Sequence, residues 1–225
     1  MTLSKEKEQE YIERVRENPF YLQDIETQTE AICLEAVKRS GEVLQYVKEQ
    51  TYKICLEAVK SNGYAIKYVE EQTPELCLEA VRNCGWAIEY VKEQSRQICL
   101  EAIKENPGVI KYVREQTLEF CWEAIGQCGG IIAFVKEQTR ELCLEAVRQN
   151  GYAIRCVEEQ TYDLCLEAVR QEGRAIQYVR EQTSELCLEA VRQNGLALEY
   201  IVNQTPELCI VAYEQNPESE IFFKI

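Results

Sequence analysis

Apolar and polar positions along the chain repeat with a period of 22 residues. In the copy that begins at Thr183, an apolar stripe at helical spacing is followed by a turn and a second short stripe. The first stripe consists of Leu186, Cys187, Ala190 and Val191. The second consists of Ala197, Leu198, Tyr200 and Ile201. Charged residues lie opposite the first stripe, and Leu196, Glu199 and Asn203 lie opposite the second. The pattern therefore predicts two short helices per copy.

The copies follow one another without insertions. A hydroxyl residue begins each of nine copies, at Thr29, Thr51, Thr73, Ser95, Thr117, Thr139, Thr161, Thr183 and Thr205. A cysteine follows four positions later each time, at Cys33, Cys55, Cys77, Cys99, Cys121, Cys143, Cys165, Cys187 and Cys209. Residues 7–28 are a degenerate first copy. We therefore expect a short extension over residues 1–6 and one domain of ten repeats over residues 7–225, which begin at residues 7, 29, 51, 73, 95, 117, 139, 161, 183 and 205.

Helices of this length are marginally stable in isolation, so the repeats must stabilise one another. Each apolar stripe becomes fully buried only when a neighbouring repeat packs on each side. The sequence therefore predicts an all-α fold, an α-solenoid of ten 22-residue helix-turn-helix repeats.

The turn between the two helices contains a recurrent Asn-Gly pair. Asn62-Gly63 is an example, and we expect its glycine to adopt a left-handed conformation that closes the first helix. Proline replaces this glycine at Pro19, Pro107 and Pro217. Because proline cannot adopt positive φ, those three turns are expected to close differently, although proline can still begin the second helix.

The recurrent string Glu-Gln-Thr-x-Glu-Leu-Cys-Leu-Glu-Ala-Val-Arg-x-Asn-Gly-x-Ala-Ile-x-Tyr-Val resembles the tandem helical repeats of a domain-of-unknown-function family. Such repeats are abundant in giant DNA viruses of amoebae. The resemblance covers almost the whole chain. It implies a helical array and a viral or host-cytoplasmic setting, and it implies no particular chemistry.

Charge and composition exclude several classes of function. With 25 basic and 39 acidic residues, the chain has a net charge of −14, which disfavours binding to nucleic acid or to an anionic membrane surface. No apolar stretch approaches the ~20 residues that a transmembrane helix needs, and no secretory signal is recognisable. The absence of histidine excludes the usual catalytic triads. We expect a cytoplasmic protein without cofactor or bound metal. We also expect no catalytic residues, because thiols would be its only conceivable nucleophiles.

The twelve cysteines suggest neither disulfides nor a metal site. Equivalent residues of stacked helices lie ~8–10 Å apart, whereas disulfide-bonded Cα atoms lie within ~7 Å. We expect the nine periodic cysteines to be small buried apolar residues in a reducing compartment. Cys84, Cys128 and Cys156 depart from the period, and sequence drift is the simplest interpretation of all three.

Two polar rows follow the repeat. Glutamate and basic residues lie three positions apart, as in Glu189 and Arg192, and can form exposed ion pairs within or between repeats. The pattern fits a solvent-exposed face whose charges neutralise one another. It also fits a groove that binds a charged partner. The glutamine that ends each copy, from Gln28 to Gln204, is expected to form hydrogen bonds with backbone carbonyls or with the next helix cap.

A partner is expected where the repeat varies at an exposed position. The residue after the turn is variable, and we expect it to face water. Together with the irregular repeat at Thr117, this position supplies the partner-binding candidates Tyr64, Trp86, Gly108, Trp122, Gly126, Gly130, Ala133 and Tyr152. Ordinary degeneration of the repeat, or a bend at Gly129-Gly130, explains the irregularity equally well.

The last repeat is unusually apolar and provides candidates for self-association. These are Val211, Ile221, Phe222, Phe223 and Ile225. The tail either folds back onto the preceding repeat or is covered by end-to-end association in a homodimer. The leading hypothesis is a non-enzymatic scaffold that binds a protein partner along an exposed variable edge. A self-assembling structural protein is the second hypothesis, and a thiol-dependent enzyme is the third.

Overall fold

The computed structural model describes residues 3–224 as alternating α-helices and 3₁₀-helices. The α-helices are α1 Lys5–Glu17, α2 Glu30–Arg39, α3 Tyr52–Ser61, α4 Pro74–Asn83, α5 Arg96–Glu105, α6 Leu118–Gln127, α7 Arg140–Gln149, α8 Tyr162–Gln171, α9 Ser184–Gln193 and α10 Pro206–Gln215. The 3₁₀-helices are η1 Pro19–Asp24, η2 Gly41–Tyr46, η3 Gly63–Tyr68, η4 Gly85–Tyr90, η5 Pro107–Tyr112, η6 Gly129–Phe134, η7 Gly151–Cys156, η8 Gly173–Tyr178, η9 Gly195–Tyr200 and η10 Pro217–Phe222. The predicted all-α repeat fold is confirmed, with a 3₁₀-helix as the second helix of each repeat.

The chain forms two compact units, the first ending at Glu115 and the second beginning at Gln116. Within each unit, the helices of one repeat pack against those of the next repeat along the chain. In the first unit α2 lies against α1 and α3, and in the second unit α8 lies against α7 and α9. Helix α1 begins at Lys5 with Ser4 as its N-cap, so it starts two residues before the first predicted repeat.

The start of each α-helix is fixed by its hydroxyl residue. Thr51 Oγ1, for example, accepts a hydrogen bond of 3.3 Å from the backbone N–H of Ile54, which would otherwise have no partner inside the helix. Pro74 and Pro206 occupy the first helical position, where a missing N–H has no cost. Thr161 is an exception, because its hydroxyl donates to Asp163 and does not cap α8.

The turn differs from the prediction. Asn62 is extended (φ −152°, ψ 113°), its side chain accepts a hydrogen bond from the N–H of Tyr64, and Gly63 begins η3. Among residues 3–224 neither a glycine nor any other residue has positive φ, so the left-handed glycine was a wrong prediction. Pro107 begins η5 after an Asn106 of nearly identical conformation (φ −152°, ψ 109°). The expectation that proline closes the turn differently was therefore also wrong, because a fixed negative φ suits this position.

Where this position is a glycine and not one of the three prolines, the next repeat lies too close for a side chain. A Cβ atom on Gly63 would lie 2.5 Å from the carbonyl oxygen of Ala80, and one on Gly151 would lie 2.5 Å from that of Ala168. Both distances are far below van der Waals contact and both involve rigid backbone. Glycine therefore allows the 3₁₀-helix of one repeat to approach the α-helix of the next.

The core consists of the predicted apolar stripes. In α9, Leu186, Cys187, Ala190 and Val191 are buried as expected. In η9, Ala197 and Leu198 are buried and are followed by the buried Ile201. Tyr200, which was predicted to share this face, is only half-buried, since its ring lies at the edge of the stack.

Glutamine side chains bridge successive repeats. Gln160 Nε2 donates to the carbonyl oxygens of Ile154 in its own repeat (3.0 Å) and Tyr178 in the next (2.9 Å), and its Oε1 accepts from the N–H of Arg180 (3.0 Å). The bonds to the following repeat recur at Gln28, Gln50, Gln72, Gln94, Gln116, Gln138, Gln182 and Gln204. The predicted bonds from glutamine to backbone carbonyls are confirmed, and the role of these side chains is to join repeats.

The charged rows also connect repeats. Arg16 lies 2.9 Å from Glu35, and Arg170 lies 2.9 Å from Glu189, each pair joining one repeat to the next. The guanidinium lowers the pKa of the Glu35 carboxyl, chiefly through the hydrogen bond from Arg16. Exposed pairs of this kind contribute little to stability, about 0.2–1 kcal/mol each.

Candidate functional site

The nine periodic cysteines are buried, as predicted, and all twelve cysteines are free thiols. Burial raises the pKa of Cys33 and that of Cys77 from the ordinary value of 9.0 to about 11. Cys84 and Cys156 are half-buried, and Cys128 is exposed. Across residues 3–224, no group of His, Cys, Asp and Glu side chains has the arrangement of a metal site.

The variable position after the turn packs against a tyrosine of the next repeat. The ring of Tyr64 meets that of Tyr90 at a centroid distance of 6.0 Å and an angle of 71°. Further along the first unit, the Trp86 ring meets Tyr112 at 5.9 Å and 80°. In both cases the second residue of one 3₁₀-helix contacts the last residue of the next, 26 positions later. We call such a pair of positions a rung.

The variable position is half-buried at Tyr64, Trp86 and Tyr152, because each of these rings contacts the other residue of its rung. The expectation that this position faces water holds at Phe20, Glu42 and Glu218, which are exposed. It is only partly met at the three rings, because each ring is partly covered by its partner 26 residues later. Gly108 departs furthest from the expectation, since it is buried and a Cβ atom there would lie 3.2 Å from the Trp86 ring. It supports the tryptophan and does not open a notch.

One rung in the second unit has no ring at either end. Its two positions are Gly130, the second residue of η6, and Cys156, the last residue of η7. The neighbouring rung is occupied, with Tyr152 and Tyr178 at 6.1 Å and 84°. A cleft of about 430 Å³ lies at the open rung, and its lining includes Gly130, Tyr152, Arg155, Cys156, Arg174 and Tyr178. A Cβ atom on Gly130 would contact only Cys128 Sγ, at 3.7 Å.

Two arginines, Arg155 and Arg174, line the cleft in a chain whose net charge is −14, and Glu199 offsets the charge of Arg174. Arg174 Nη2 donates to Glu199 Oε2 at 3.0 Å and to the Tyr200 hydroxyl. Contacts with the Cys156 sulfur and, to a lesser degree, the Tyr178 hydroxyl raise the pKa of Arg155 above its ordinary value. The described lining contains no aspartate or glutamate, so Arg155 is the group through which the cleft favours an anionic group.

Other clefts follow the repeat itself. One of about 430 Å³ is lined by Tyr162, Arg180 and the carboxylates of Glu158, Glu159 and Glu181. A smaller cleft in the first unit is lined by the corresponding Tyr52, Glu70 and Glu71, five repeats earlier. These clefts belong to the regular architecture, whereas the cleft at Gly130 and Cys156 lies where the sequence departs from it.

The remaining partner-binding candidates do not line this cleft. Trp122 is 42% exposed on α6, where Leu118 is also exposed one turn earlier. Gly126 is exposed, and a Cβ atom there would meet no neighbour within 4 Å, while Ala133 is exposed on η6. The sequence analysis did not single out Leu118, although its spacing of four residues from Trp122 indicates a shared helix face.

The last repeat exposes apolar side chains. Ile221 is 78% exposed and Phe223 is 36% exposed, whereas Val211 and Phe222 are half-buried. The carbonyl oxygen of Phe222 accepts a hydrogen bond from Gln204, as in the other repeats, so the described tail leaves Ile221 uncovered. Ile225 lies outside the described residues.

Sequence reasoning identified Gly130 and Tyr152 but missed Arg155, Arg174 and Tyr178. The 26-residue spacing of rung positions would have found Arg174 and Tyr178, whereas Arg155 lies one residue before the end of η7 and is not a rung position. Of the rungs that this spacing defines, only Gly130 and Cys156 combine two residues without an aromatic, charged or branched side chain.

None of the helices within residues 3–224 is both long enough and apolar enough to span a membrane. Comparison with curated proteins gives no match, and comparison with solved structures gives none either. The model of one family, described as Domain of unknown function (DUF4116), matches residues 29–72, 73–118, 139–183 and 161–204. Each match spans two consecutive repeats, and together the matches cover more than half of the chain. The chain therefore belongs to the DUF4116 family of tandem helical repeats.

Proposed function

We propose that this chain is a non-enzymatic scaffold that binds a protein partner along the edge formed by its 3₁₀-helices, with the cleft at Gly130 and Cys156 as the main contact. The observation that carries the proposal is the open rung, where a cleft of about 430 Å³ is bordered by tyrosines and arginines. Tyrosine, tryptophan and arginine are the residues most enriched among energetically important interface contacts. The cleft volume also falls within the ~300–1,000 Å³ typical of ligand sites.

The buried thiols support a non-enzymatic role. A nucleophilic cysteine needs a lowered pKa and an accessible sulfur, whereas burial raises the pKa of the periodic cysteines. The chain contains no histidine that could activate the three irregular thiols. We infer a reducing intracellular setting from the number of free cysteines, and a giant virus or its host cytoplasm is the setting we propose for it.

Selection from a random peptide library tests the scaffold function. Peptides that bind the full chain are expected to lose at least tenfold in affinity to a Tyr152→Ala variant. Tyr52→Ala is the matched control, because Tyr52 is an exposed tyrosine remote in sequence from the cleft. Recovery of no binding peptides, or of peptides that are all insensitive to Tyr152→Ala, would contradict the proposal.

Self-association of the last repeat is a second candidate function. Tyr213 is 46% exposed, although the equivalent Val191 of the preceding repeat is fully buried. Phe223 is likewise exposed where Ile201 is buried. A second copy of the chain is the occupant that we propose for these exposed apolar side chains.

Light scattering over a range of protein concentrations tests self-association. A mass that doubles with concentration, and returns to that of the monomer in an Ile221→Lys variant, is expected. A monomer at the highest concentration would exclude this function.

A further inference from the structure

The occupied rungs show what the open rung lacks. At Tyr64 and Tyr90, and again at Tyr152 and Tyr178, two rings meet edge to face at 6.0–6.1 Å. Aromatic pairs prefer this tilted arrangement over face-to-face stacking. The edge of the 3₁₀-helices therefore holds pairs of aromatic rings at several rungs.

The open rung lacks a ring in each of two consecutive repeats. Gly130 has no side chain, and Cys156 stands where a tyrosine or phenylalanine ends most of the other 3₁₀-helices. The backbone around this rung is nevertheless regular, since Cys128 and Asn150 before the two 3₁₀-helices have nearly the same extended conformation as Asn62. The cleft thus has the form of an aromatic site from which the ring has been removed.

Charge around the cleft restricts the occupant further. Arg155 and Arg174 border the cleft, and its described lining carries no carboxylate. Guanidinium groups recognise carboxylates through paired hydrogen bonds and also pack on aromatic faces. Arg174 already shows both behaviours, because it contacts Glu199 and lies 5.1 Å from the centre of the Tyr200 ring.

We propose that the open rung binds a segment of a partner protein that inserts one aromatic side chain at Gly130 and Cys156 and places a neighbouring carboxylate against Arg155 or Arg174. The inserted ring packs against Tyr152 and Tyr178, which line the cleft. The proposal rests on the scaffold function and specifies the class of partner segment.

Four series of seven-residue synthetic peptides, measured by fluorescence polarisation against the full chain, test the proposal. One series combines a tyrosine with glutamates, and the others replace the tyrosine by leucine, the glutamates by glutamine, or the glutamates by lysine. The acidic tyrosine peptides are expected to bind at least tenfold more tightly than each of the other series. Adenosine monophosphate serves as a competing occupant that also offers a ring and an anion.

Variants of the protein locate the binding. The double variant Gly130→Tyr, Cys156→Tyr restores the rung and should reduce binding at least tenfold. Arg155→Gln with Arg174→Gln should abolish the preference for glutamate over glutamine and retain the preference for tyrosine over leucine. Glu42→Tyr is the matched control, since it adds a tyrosine at the equivalent position of another rung and should leave binding unchanged. If the double variant does not fold, as judged by circular dichroism, Cys156→Tyr alone provides the same test.

Failure of this inference can be distinguished from failure of the scaffold function. The inference would be overturned, and the scaffold function would stand, if library-selected peptides bound without an aromatic or acidic residue. The same would follow if such peptides still bound the Gly130→Tyr, Cys156→Tyr variant. Tighter binding of adenosine monophosphate than of any peptide would also overturn it. Recovery of no binding peptide from the library would remove both proposals.

Discussion

Two adjacent glycines show that two regions of the molecule constrain the sequence differently. One region is the packed contact between successive repeats, which we call the joint, and the other is the exposed edge of the 3₁₀-helices. A Cβ atom on Gly129 would lie 2.4 Å from the carbonyl oxygen of Ala146, in the next repeat. A Cβ atom on Gly130 would meet only the Cys128 sulfur, at 3.7 Å. The first glycine is required by packing, whereas the second position accepts larger residues. Because substitution at the edge leaves the joint intact, the edge can acquire a binding site without loss of the fold.

Substitution of the two glycines gives the largest expected contrast. Gly129→Ala should destabilise the protein by about 3 kcal/mol, because the added methyl group overlaps backbone that cannot move alone. Gly130→Ala is the matched control and should change the free energy of unfolding by no more than about 0.5 kcal/mol. Urea denaturation followed by circular dichroism measures both. Equal effects of the two substitutions would refute the distinction between joint and edge.

Loss of a glutamine bridge should have the next largest effect. Gln160→Ala leaves two carbonyl oxygens and one N–H without their bridging partner, and we expect a loss of about 2 kcal/mol in unfolding free energy. Gln45 is a suitable control, because it is exposed and forms one local bond to Glu42. Gln45→Ala should cost no more than about 0.5 kcal/mol. A similar cost for both variants would show that the joint does not depend on these bridges.

Because thiols are buried at the joint, the free energy of unfolding should decrease at alkaline pH. The pKa of Cys33 rises from 9.0 to about 11 on folding, so the unfolded chain loses this proton first as the pH increases. The contribution of the buried, protonated Cys33 thiol to stability is present below pH 9 and is lost as the pH rises to about 11. Between pH 8 and pH 10, Cys33 should account for about 1 kcal/mol of lost stability.

Comparison with a Cys33→Ala variant isolates this contribution. The variant should lose about 1 kcal/mol less than the unsubstituted chain between pH 8 and pH 10. Cys128→Ala is the control, because the Cys128 thiol is exposed. An unchanged pH dependence in Cys33→Ala would contradict the burial argument.

The sequence predicted those features that repeat with the chain. The 22-residue period identified the apolar faces, the threonine caps and the terminal glutamines, because each depends on spacing within or between identical copies. Gly63 was predicted as a glycine of the turn, but the reason was wrong, since its constraint comes from Ala80 in the next repeat. The 3₁₀ form of the second helix was likewise not evident, because a six-residue apolar stripe does not distinguish it from a short α-helix.

The candidate site was only partly predictable. Gly130 and Tyr152 were selected because they occupy a variable position, but their pairing with Cys156 and Tyr178 depends on how far one 3₁₀-helix is displaced from the next. That displacement sets the spacing of 26 residues, and it becomes apparent from the observed ring contacts. Arg155 and Arg174 were overlooked because charged residues at exposed positions of a repeat carry no signal of their own.

The central claim is that Gly130 and Cys156 are the two halves of one open rung, and a double-mutant cycle tests it most directly. The unfolding free energies of the unsubstituted chain, Gly130→Tyr, Cys156→Tyr and the double variant are measured by urea denaturation. If the two positions form a rung, the two tyrosines together should stabilise the protein by about 1 kcal/mol more than the sum of their separate effects. Additivity within about 0.3 kcal/mol would show that the positions do not meet and would contradict the account.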